Sequence, residues 1–311
     1  MDNNNDLQPK RDGFRQRHPV LFIFGILFGA MVLTVGAMAL FASSSATDGR
    51  RFAFRFSRGE AIGVVRLTGT IESSSAMVEF LRTLREDANV KGVLLRVDSG
   101  GGSFGPSQEI FRAVKKLATV KPVVASFGGV AASGAYYAAC PARLIFALTG
   151  TLTGSIGVRS MYPDVHDAAG KLGIGFNSFT TGTLKDAGSS FREMTDADRA
   201  YIHGLLDDLR DIFVADVAQA RHLDPAKLIA LQGKAMTAAN ALTIGLVDKM
   251  GSEEDAMDEL KKLAGIKRKH PPLIVGPQKK ASGLESIFGQ LGSSFVRGMV
   301  SALPGPEPRA E

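Results

Sequence analysis

Ser133 is the residue of this chain whose surroundings best suit nucleophilic chemistry. It lies in the segment FGGVAASGAYYAAC, between Ala132 and Gly134, after an apolar run that predicts a strand and before a predicted helix. Small neighbours leave its hydroxyl approachable, and the N–H groups at the start of a helix favour an anionic intermediate. The alternative is a serine that only caps this helix. The segment differs from G-x-S-x-G, which disfavours the nucleophile turn of an α/β-hydrolase.

A serine hydroxyl is a weak nucleophile unless a base removes its proton, so the sequence must also supply that base. Among the five histidines only His166 is a candidate, and a surface or helix-start position explains it better. Lysine is the alternative, because Ser-Lys pairs are a known variant of the catalytic triad. Lys185 follows an apolar, hydroxyl-rich run in SFTTGTLKDAGSSF, where burial would favour the neutral amine that a base requires. An ordinary exposed loop lysine beside Asp186 is the competing interpretation.

A glycine-rich loop, VDSGGGSFG, lies between an earlier predicted strand and helix. Gly100, Gly102 and Gly105 satisfy G-x-G-x-x-G, the pattern of dinucleotide-binding loops. A Rossmann fold also requires an acidic residue at the end of the next strand, and VVASF ends instead in Gly128 and Gly129. The exposed N–H groups of such a loop could stabilise an oxyanion, and a flexible turn is the remaining interpretation.

Short apolar strands alternate with helix-period segments from Ala61 onward. The predicted strands are AIGVVRL, KGVLLRV, KPVVASF and RLIFAL, with helices predicted near residues 75–88 and 106–118 and another after KPVVASF. Strands without polar alternation favour a mainly parallel sheet that is covered on both faces. The sequence therefore predicts an α/β fold.

The second half of the chain is predicted to be helical. Thr195, with acidic residues directly after it, predicts the start of a long amphipathic helix that ends near residue 221. Shorter helices are predicted after Asp224-Pro225 and from about Ser252.

An uncharged run of 22 residues, 20–41, precedes the α/β region. As a helix it would reach about 33 Å, enough to cross a hydrocarbon core of ~30 Å. It exceeds the ~7–15-residue apolar part of a cleaved signal peptide, so we expect a retained transmembrane anchor. Arg15 and Arg17 precede it, which by the positive-inside rule places the N-terminus in the cytoplasm and the chain beyond residue 42 outside.

Charge and cysteine content argue against a nucleic-acid partner and against a fold held by an intramolecular disulfide. The net charge is +6, but residues 266–311 hold seven Lys/Arg against three Glu, so the middle of the chain is nearly neutral. No basic stripe with interleaved aromatics accompanies these charges, and we expect no nucleic-acid partner. Cys140 is the single cysteine, so core packing and not an intramolecular disulfide must hold the fold.

Five segments, in order, resemble those of one family: the bacterial signal peptide peptidases of the Ser-Lys type, related in fold to Clp protease and crotonase. VDSGGG resembles the family's S-P-G-G loop, GGVAASGAYYAA its nucleophile segment, and TGSIGV the turn that follows. TTGTLKDAG resembles the lysine segment, and AANALTIGLVDKMG a C-terminal helix-and-strand signature. The resemblance covers roughly residues 60–262, and five motifs in order are far more specific than one.

The resemblance implies the site residues. They are a nucleophile, a general base, a hydroxyl that orients the base, and two oxyanion donors, namely Ser133, Lys185, Ser155, Gly101 and Gly134. Gly100 stands where the family has proline, and this departure leaves the identity of the oxyanion donor open.

The resemblance also implies acyl transfer without a metal or cofactor, in a homo-oligomeric ring or dome whose protomers share substrate grooves. The expected substrate is an extended apolar peptide such as a remnant signal peptide, and the expected location is the bacterial cytoplasmic membrane. The expected divisions are a cytoplasmic segment, an anchor, a linker, a peptidase domain and a basic Pro/Gly-rich tail, at residues 1–19, 20–41, 42–59, 60–265 and 266–311.

Three alternatives accompany this interpretation. One is a peptidase of the same fold directed at a stomatin-like membrane protein. The second is a crotonase-like acyl-CoA enzyme that uses the same glycine loop, and the third is an inactive membrane scaffold. The last two would have no need for Ser133 and Lys185 together.

Overall fold

An eight-stranded sheet organises residues 59–277, the part of the chain that the computed structural model describes. Its strands are β1 Ala61–Thr68, β2 Val90–Ser99, β3 Val123–Ala132, β4 Leu144–Ala147, β5 Leu152–Gly154, β6 Ala235–Thr237, β7 Lys249–Met250 and β8 Leu273–Gly276. The main path runs β6-β5-β3-β2-β1-β8, while β4 pairs with β3 and with β7. Every pairing is parallel except that of β5 with β6.

Helices connect these strands. They are α1 Ser75–Glu86, α2 Phe104–Ala118, α3 Gly134–Ala139, α4 His166–Lys171, α5 Asp196–Arg221, α6 Pro225–Ala230, α7 Ala238–Thr243 and α8 Glu253–Leu263. Among residues 59–277 no helix is long and apolar enough to cross a membrane. The predicted anchor, residues 20–41, lies outside this part of the chain.

Both faces of the sheet are covered, as the unbroken apolar strands predict. The larger core cluster joins one face to α1, α2, α3 and α5, through side chains such as Leu81, Phe111, Tyr137 and Phe213. A smaller cluster joins the other face to α8 through Leu260. Burial of apolar surface on both sides is the main stabilising contribution to such a sheet.

Strand β3 changes partners along its length. Its first part pairs with β4, and its last three residues, 130–132, pair with β5. The pairing with β2 is irregular at the same point, between Val97 and Ser99. The Asp98 carboxylate accepts a hydrogen bond from Val130 N–H at 3.1 Å, and a Cβ on Gly128 would fall 2.9 Å from Asp98 Cγ. A side chain at Gly128 would therefore displace the Asp98 carboxylate from Val130, at the point where β3 changes its partner from β4 to β5.

The long helix α5 begins and ends as its sequence predicts. Thr195 and Asp198 form a capping box in which each side chain accepts a hydrogen bond from the other's backbone N–H. At the other end His222 adopts a left-handed conformation with φ of 55°, which terminates the helix.

The sheet continues past residue 265, where the predicted domain ends. Strand β8 pairs in parallel with β1 through Ile62 to Val65, and Gly276 packs on the ring of Phe80. This strand is short, alternates in exposure and follows two prolines. Such a segment gives no clear strand signal in the sequence.

Candidate active site

Ser133 and Ser155 are neighbours because each directly follows one of two paired strand ends. The pairing of β3 with β5 sets Ala132 opposite Gly154, and Ser133 N–H donates to the Gly154 carbonyl at 2.9 Å. Both serines have a positive φ, 52° for Ser133 and 51° for Ser155. Such a conformation is strained for a residue with a side chain, and strain of this kind concentrates at functional sites.

Capping of α3 does not explain Ser133. An N-cap serine normally has extended backbone and accepts a hydrogen bond from the first turn. Ser133 instead has φ 52° and ψ −127°, and its side chain forms no cap hydrogen bond. It is half-buried and lines a cavity of about 1040 Å³. Its hydroxyl is therefore available to a molecule in this cavity.

One wall of the cavity is apolar. Phe104 and Tyr137 lie on one side of it, and Phe213 stacks on Tyr137 with ring centroids 4.4 Å apart. Helix α5 supplies the aliphatic part of the wall through Ile202, Leu205, Leu206 and Leu209. This wall suits an apolar chain that passes Ser133.

Gly101, one of the two oxyanion donors that the resemblance implies, uses its N–H within the loop. Its N–H already donates to the buried hydroxyl of Ser99 at 3.1 Å. Gly101 has a positional role instead. Its φ is 100°, and a Cβ there would fall 2.7 Å from the backbone nitrogen of Gly134. Only glycine allows the loop to approach the nucleophile segment this closely.

Gly102 also lies close to Gly134. The loop is bridged to Ile71, whose N–H donates to the Gly101 carbonyl and whose carbonyl accepts from Ser103 N–H. This bridge leaves the N–H of Gly102 unused. A Cβ on Gly134 would lie 3.3 Å from the Gly102 nitrogen. Gly134 begins α3, so its own N–H has no acceptor within the helix. Two available N–H groups thus meet beside Ser133.

Lys185 lies outside this cavity. It is exposed, and its backbone N–H donates to the Gly182 carbonyl at 3.0 Å within a turn. His166 is also exposed, and its Nδ1 lies 3.0 Å from the carbonyl oxygen of Phe191. Across residues 59–277, no lysine, histidine or carboxylate lines the cavity. A single chain therefore brings Ser133, Ser155 and the two glycines together, but not Lys185.

Arg192 ties the segment of Lys185 to helix α5. Its Nε donates to the Asp186 carboxylate at 3.1 Å, and its Nη2 to the Asp186 carbonyl at 2.9 Å. Its two Nη groups also bind both carboxylate oxygens of Asp198, which is buried. Hydrogen bonds from Arg192 hold the pKa of Asp198 well below its usual range. Asp186, the residue next to Lys185, is thus linked through Arg192 to α5, the helix that forms the aliphatic part of the cavity wall.

Similar proteins include known peptidases. Residues 115–267 match the model of peptidase family S49. A provisionally named protease of Methanocaldococcus jannaschii is 36% identical over 231 residues, which are 74% of this chain and 74% of that protein. A provisionally named signal peptide peptidase of Enterococcus faecium is 36% identical over 184 residues, which are 58% of this chain and 54% of that protein. A solved ClpP1 variant from Listeria monocytogenes aligns with a TM-score of 0.43 at 15% identity, over 62% of this chain and 94% of its own.

We expect Arg192→Met to lower the melting temperature more than Arg210→Met. Arg210 lies on α5, the helix that Arg192 binds, and pairs with Asp207 and Asp211 at the surface, where ion pairs contribute little. Loss of Arg192 leaves the buried Asp198 carboxylate without its cation, which is more costly. Thermal melts of the full chains in detergent, followed by far-UV circular dichroism, measure the difference.

The effect of Arg192→Met should depend on pH. Because the folded-state pKa of Asp198 is lowered, its contribution is present above the unfolded value of about 4 and is lost as the pH falls towards the folded value. The stability difference between wild type and Arg192→Met should therefore shrink in acid. Equal effects of the two arginine variants at every pH would contradict this role.

Proposed function

The chain belongs to peptidase family S49 and is a serine peptidase, and we propose that Ser133 is its nucleophile and Lys185 its general base. The position of Ser133 is the observation that carries the proposal. Its hydroxyl forms no cap hydrogen bond with α3. Ser133 lines the cavity and lies beside the unused N–H groups of Gly102 and Gly134. Membership of a peptidase family argues against the acyl-CoA and inactive-scaffold alternatives.

The proposed reaction is acyl transfer to Ser133. Its Oγ attacks the carbonyl carbon of the scissile peptide bond while the base takes the hydroxyl proton. The tetrahedral oxyanion accepts hydrogen bonds from the N–H groups of Gly102 and Gly134. The intermediate collapses to an acyl-enzyme when the base returns the proton to the leaving amine. Water, activated by the same base, then releases the second product.

The base has to come from outside the cavity of the single chain. Arg159 is the one charged side chain from residues 59–277 that lines the cavity, and a guanidinium cannot be deprotonated in a protein. Lys185 is proposed because it lies on a segment whose large apolar side chains are left exposed. Leu172 is 75% exposed and Phe179 is 95% exposed. Exposed apolar surface of this kind favours association with another protein surface.

We propose that this segment packs against a neighbouring copy in a homo-oligomer and carries Lys185 into a catalytic cavity. Packing would remove water from the amine and favour its neutral form, which a base requires. Ser155 lies beside Ser133, and its hydroxyl would accept a hydrogen bond from the lysine and orient it. Arg192 would hold the lysine segment in place, since it binds the carboxylate and the backbone carbonyl of Asp186.

The proposed substrate is an extended apolar peptide, such as a remnant signal peptide, held along the apolar wall of α5. The similarity to a protein named as a signal peptide peptidase supports this choice. Residues 20–41 are proposed to anchor the chain in the bacterial cytoplasmic membrane, with the peptidase domain outside the cytoplasm.

Lys185→Arg should abolish turnover while the protein stays folded. The substitution keeps a positive charge but removes the neutral amine, and general-base catalysis typically contributes about 10²–10⁴-fold. Lys171→Arg, on the same segment, is the matched control and should keep wild-type rates. Cleavage of an apolar leader-like peptide, followed from about pH 6 to about pH 10, tests this. Near-normal rates for a folded Lys185→Arg enzyme would show that the base lies elsewhere.

A mixing experiment tests whether the lysine comes from a neighbouring copy. Ser133→Ala and Lys185→Arg chains, each inactive alone, are co-expressed with different tags and purified through both. If serine and lysine belong to different chains, random mixing makes about a quarter of the sites complete, and activity should return to that level. A verified mixed oligomer without activity would contradict supply of the lysine from a neighbour.

Gly102→Ala should lower kcat by about 10²-fold or more, the usual loss for one oxyanion donor. A Cβ at Gly102 would fall 2.7 Å from the carbonyl carbon of Ile71, so the loop must shift and carry the N–H away. Gly105→Ala is the control, because nothing lies within 4 Å of its added Cβ. Unchanged kcat in a Gly102→Ala enzyme would remove Gly102 from the proposed oxyanion site.

A further inference from the structure

The catalytic cavity carries an unbalanced positive charge. Its lining consists of glycines, hydroxyl-bearing side chains, aromatic rings and aliphatic side chains, together with Arg159. No carboxylate from residues 59–277 shares the cavity with this arginine. Nothing in the proposed hydrolysis uses it, because a guanidinium neither attacks a carbonyl nor gives up a proton.

Arg159 also differs from the two arginines that bind carboxylates at the ends of α5. Arg192 binds Asp186 and Asp198, and Arg221 binds Asp248. Arg159 forms no ion pair and no side-chain hydrogen bond with any residue between 59 and 277. Its five N–H donors are therefore available to a molecule bound in the cavity.

The position of Arg159 limits which part of a peptide it can reach. Arg159 follows Ser155 by four residues, and Gly157 and Val158 between them also line the cavity. Four residues span at most about 14 Å, so the backbone of Arg159 lies within about 14 Å of Ser155, which is the neighbour of Ser133 in the same cavity. A group that binds Arg159 would be close to the scissile bond.

We propose that Arg159 binds a carboxylate of the peptide substrate and makes the enzyme prefer peptides that carry one near the scissile bond. The planar guanidinium matches a carboxylate with two parallel hydrogen bonds, and this geometry makes the pair specific although Arg159 is exposed. The inference rests on the proposed function, because the chemistry at Ser133 makes this cavity the substrate site.

Two sources could supply the carboxylate. One is an Asp or Glu side chain, and the other is the C-terminal carboxylate of the peptide. Any peptide released by an earlier hydrolysis ends in a free carboxylate, whereas the interior of an intact protein chain does not. If the terminal carboxylate is the ligand, Arg159 selects the products of a preceding peptide-bond cleavage.

The test uses the full chain in detergent and four fluorogenic peptides of one apolar sequence. The first has a free C-terminal carboxylate near the scissile bond, and the second has the same end amidated. The third and fourth are amidated and carry Glu or Gln at an internal position. Wild type, Arg159→Gln, Arg159→Lys and Arg143→Gln are compared, since Arg143 is exposed and does not line the cavity.

Wild type should cleave a carboxylate-bearing peptide about tenfold better in kcat/KM than its neutral partner, mostly through KM. A preference for the free C-terminus over the amide identifies the terminal source, and a preference for Glu over Gln identifies the side-chain source. Arg159→Gln should lose the preference and keep its kcat on the neutral peptides. Arg159→Lys should keep part of the preference for the carboxylate-bearing peptide, and Arg143→Gln should keep all of it. Added salt should weaken this preference in the wild type.

Two results would overturn the inference: no preference in wild type, or a preference that persists in Arg159→Gln. Neither result depends on which residue is the nucleophile. The Ser133→Ala variant, assayed with the same peptides, tests that assignment separately. A dead Ser133→Ala enzyme beside an unselective wild type contradicts only the role of Arg159. Hydrolysis that survives Ser133→Ala contradicts the proposed function itself.

Discussion

The pairing of the last residues of β3 with β5 is the constraint on which the site depends. It fixes Ser133 and Ser155 at adjacent strand ends, both with a positive φ that neither would adopt without support. Side chains reinforce the backbone ladder, since the buried hydroxyls of Thr151 and Thr153 donate to the carbonyls of Gly128 and Ala131. These contacts hold Ser133 in place, so its orientation does not depend on a flexible loop.

Helix α5 links the segment of Ser133 to the segment that carries Lys185. Near its end, Asp216 accepts a hydrogen bond from the Tyr137 hydroxyl, one turn after Ser133 on α3. Burial, with this hydrogen bond, raises the pKa of Tyr137, so the hydroxyl stays protonated and remains a donor. At its start, Asp198 binds Arg192 and through it Asp186. A displacement of α5 would therefore change the cavity wall and the lysine segment together.

The sequence predicts the scaffold well because the strands and the caps carry strong local signals. The apolar runs at β1 to β4 match the observed strands, and the Thr195–Asp198 box begins α5 where predicted. Strands β5, β6 and β7 have two or three residues each, too short to give a period. These short strands form because neighbouring strands offer free backbone groups to pair with. That pairing depends on the whole fold and not on the local sequence.

The candidate site, like the scaffold, is predicted from the sequence only in part. The type of residue and its place after a strand indicate Ser133, and the structure adds the strained backbone that separates it from a capping serine. The sequence also marks three consecutive glycines but cannot rank their N–H groups. The structure adds two observations: Gly101 N–H donates to Ser99 Oγ, and the Gly102 nitrogen lies close to Gly134. Lys185 is named by resemblance to a family, and its proposed approach to Ser133 involves a neighbouring copy of the chain.

Covalent labelling is a direct test of whether Ser133 is the nucleophile. The full-length protein is treated with a fluorophosphonate, digested, and the modified residue is mapped by mass spectrometry. We expect one adduct, on the Ser133 hydroxyl, and none in Ser133→Ala protein that remains folded. An adduct on another serine of the active protein, or labelling that persists in the Ser133→Ala variant, would contradict this assignment.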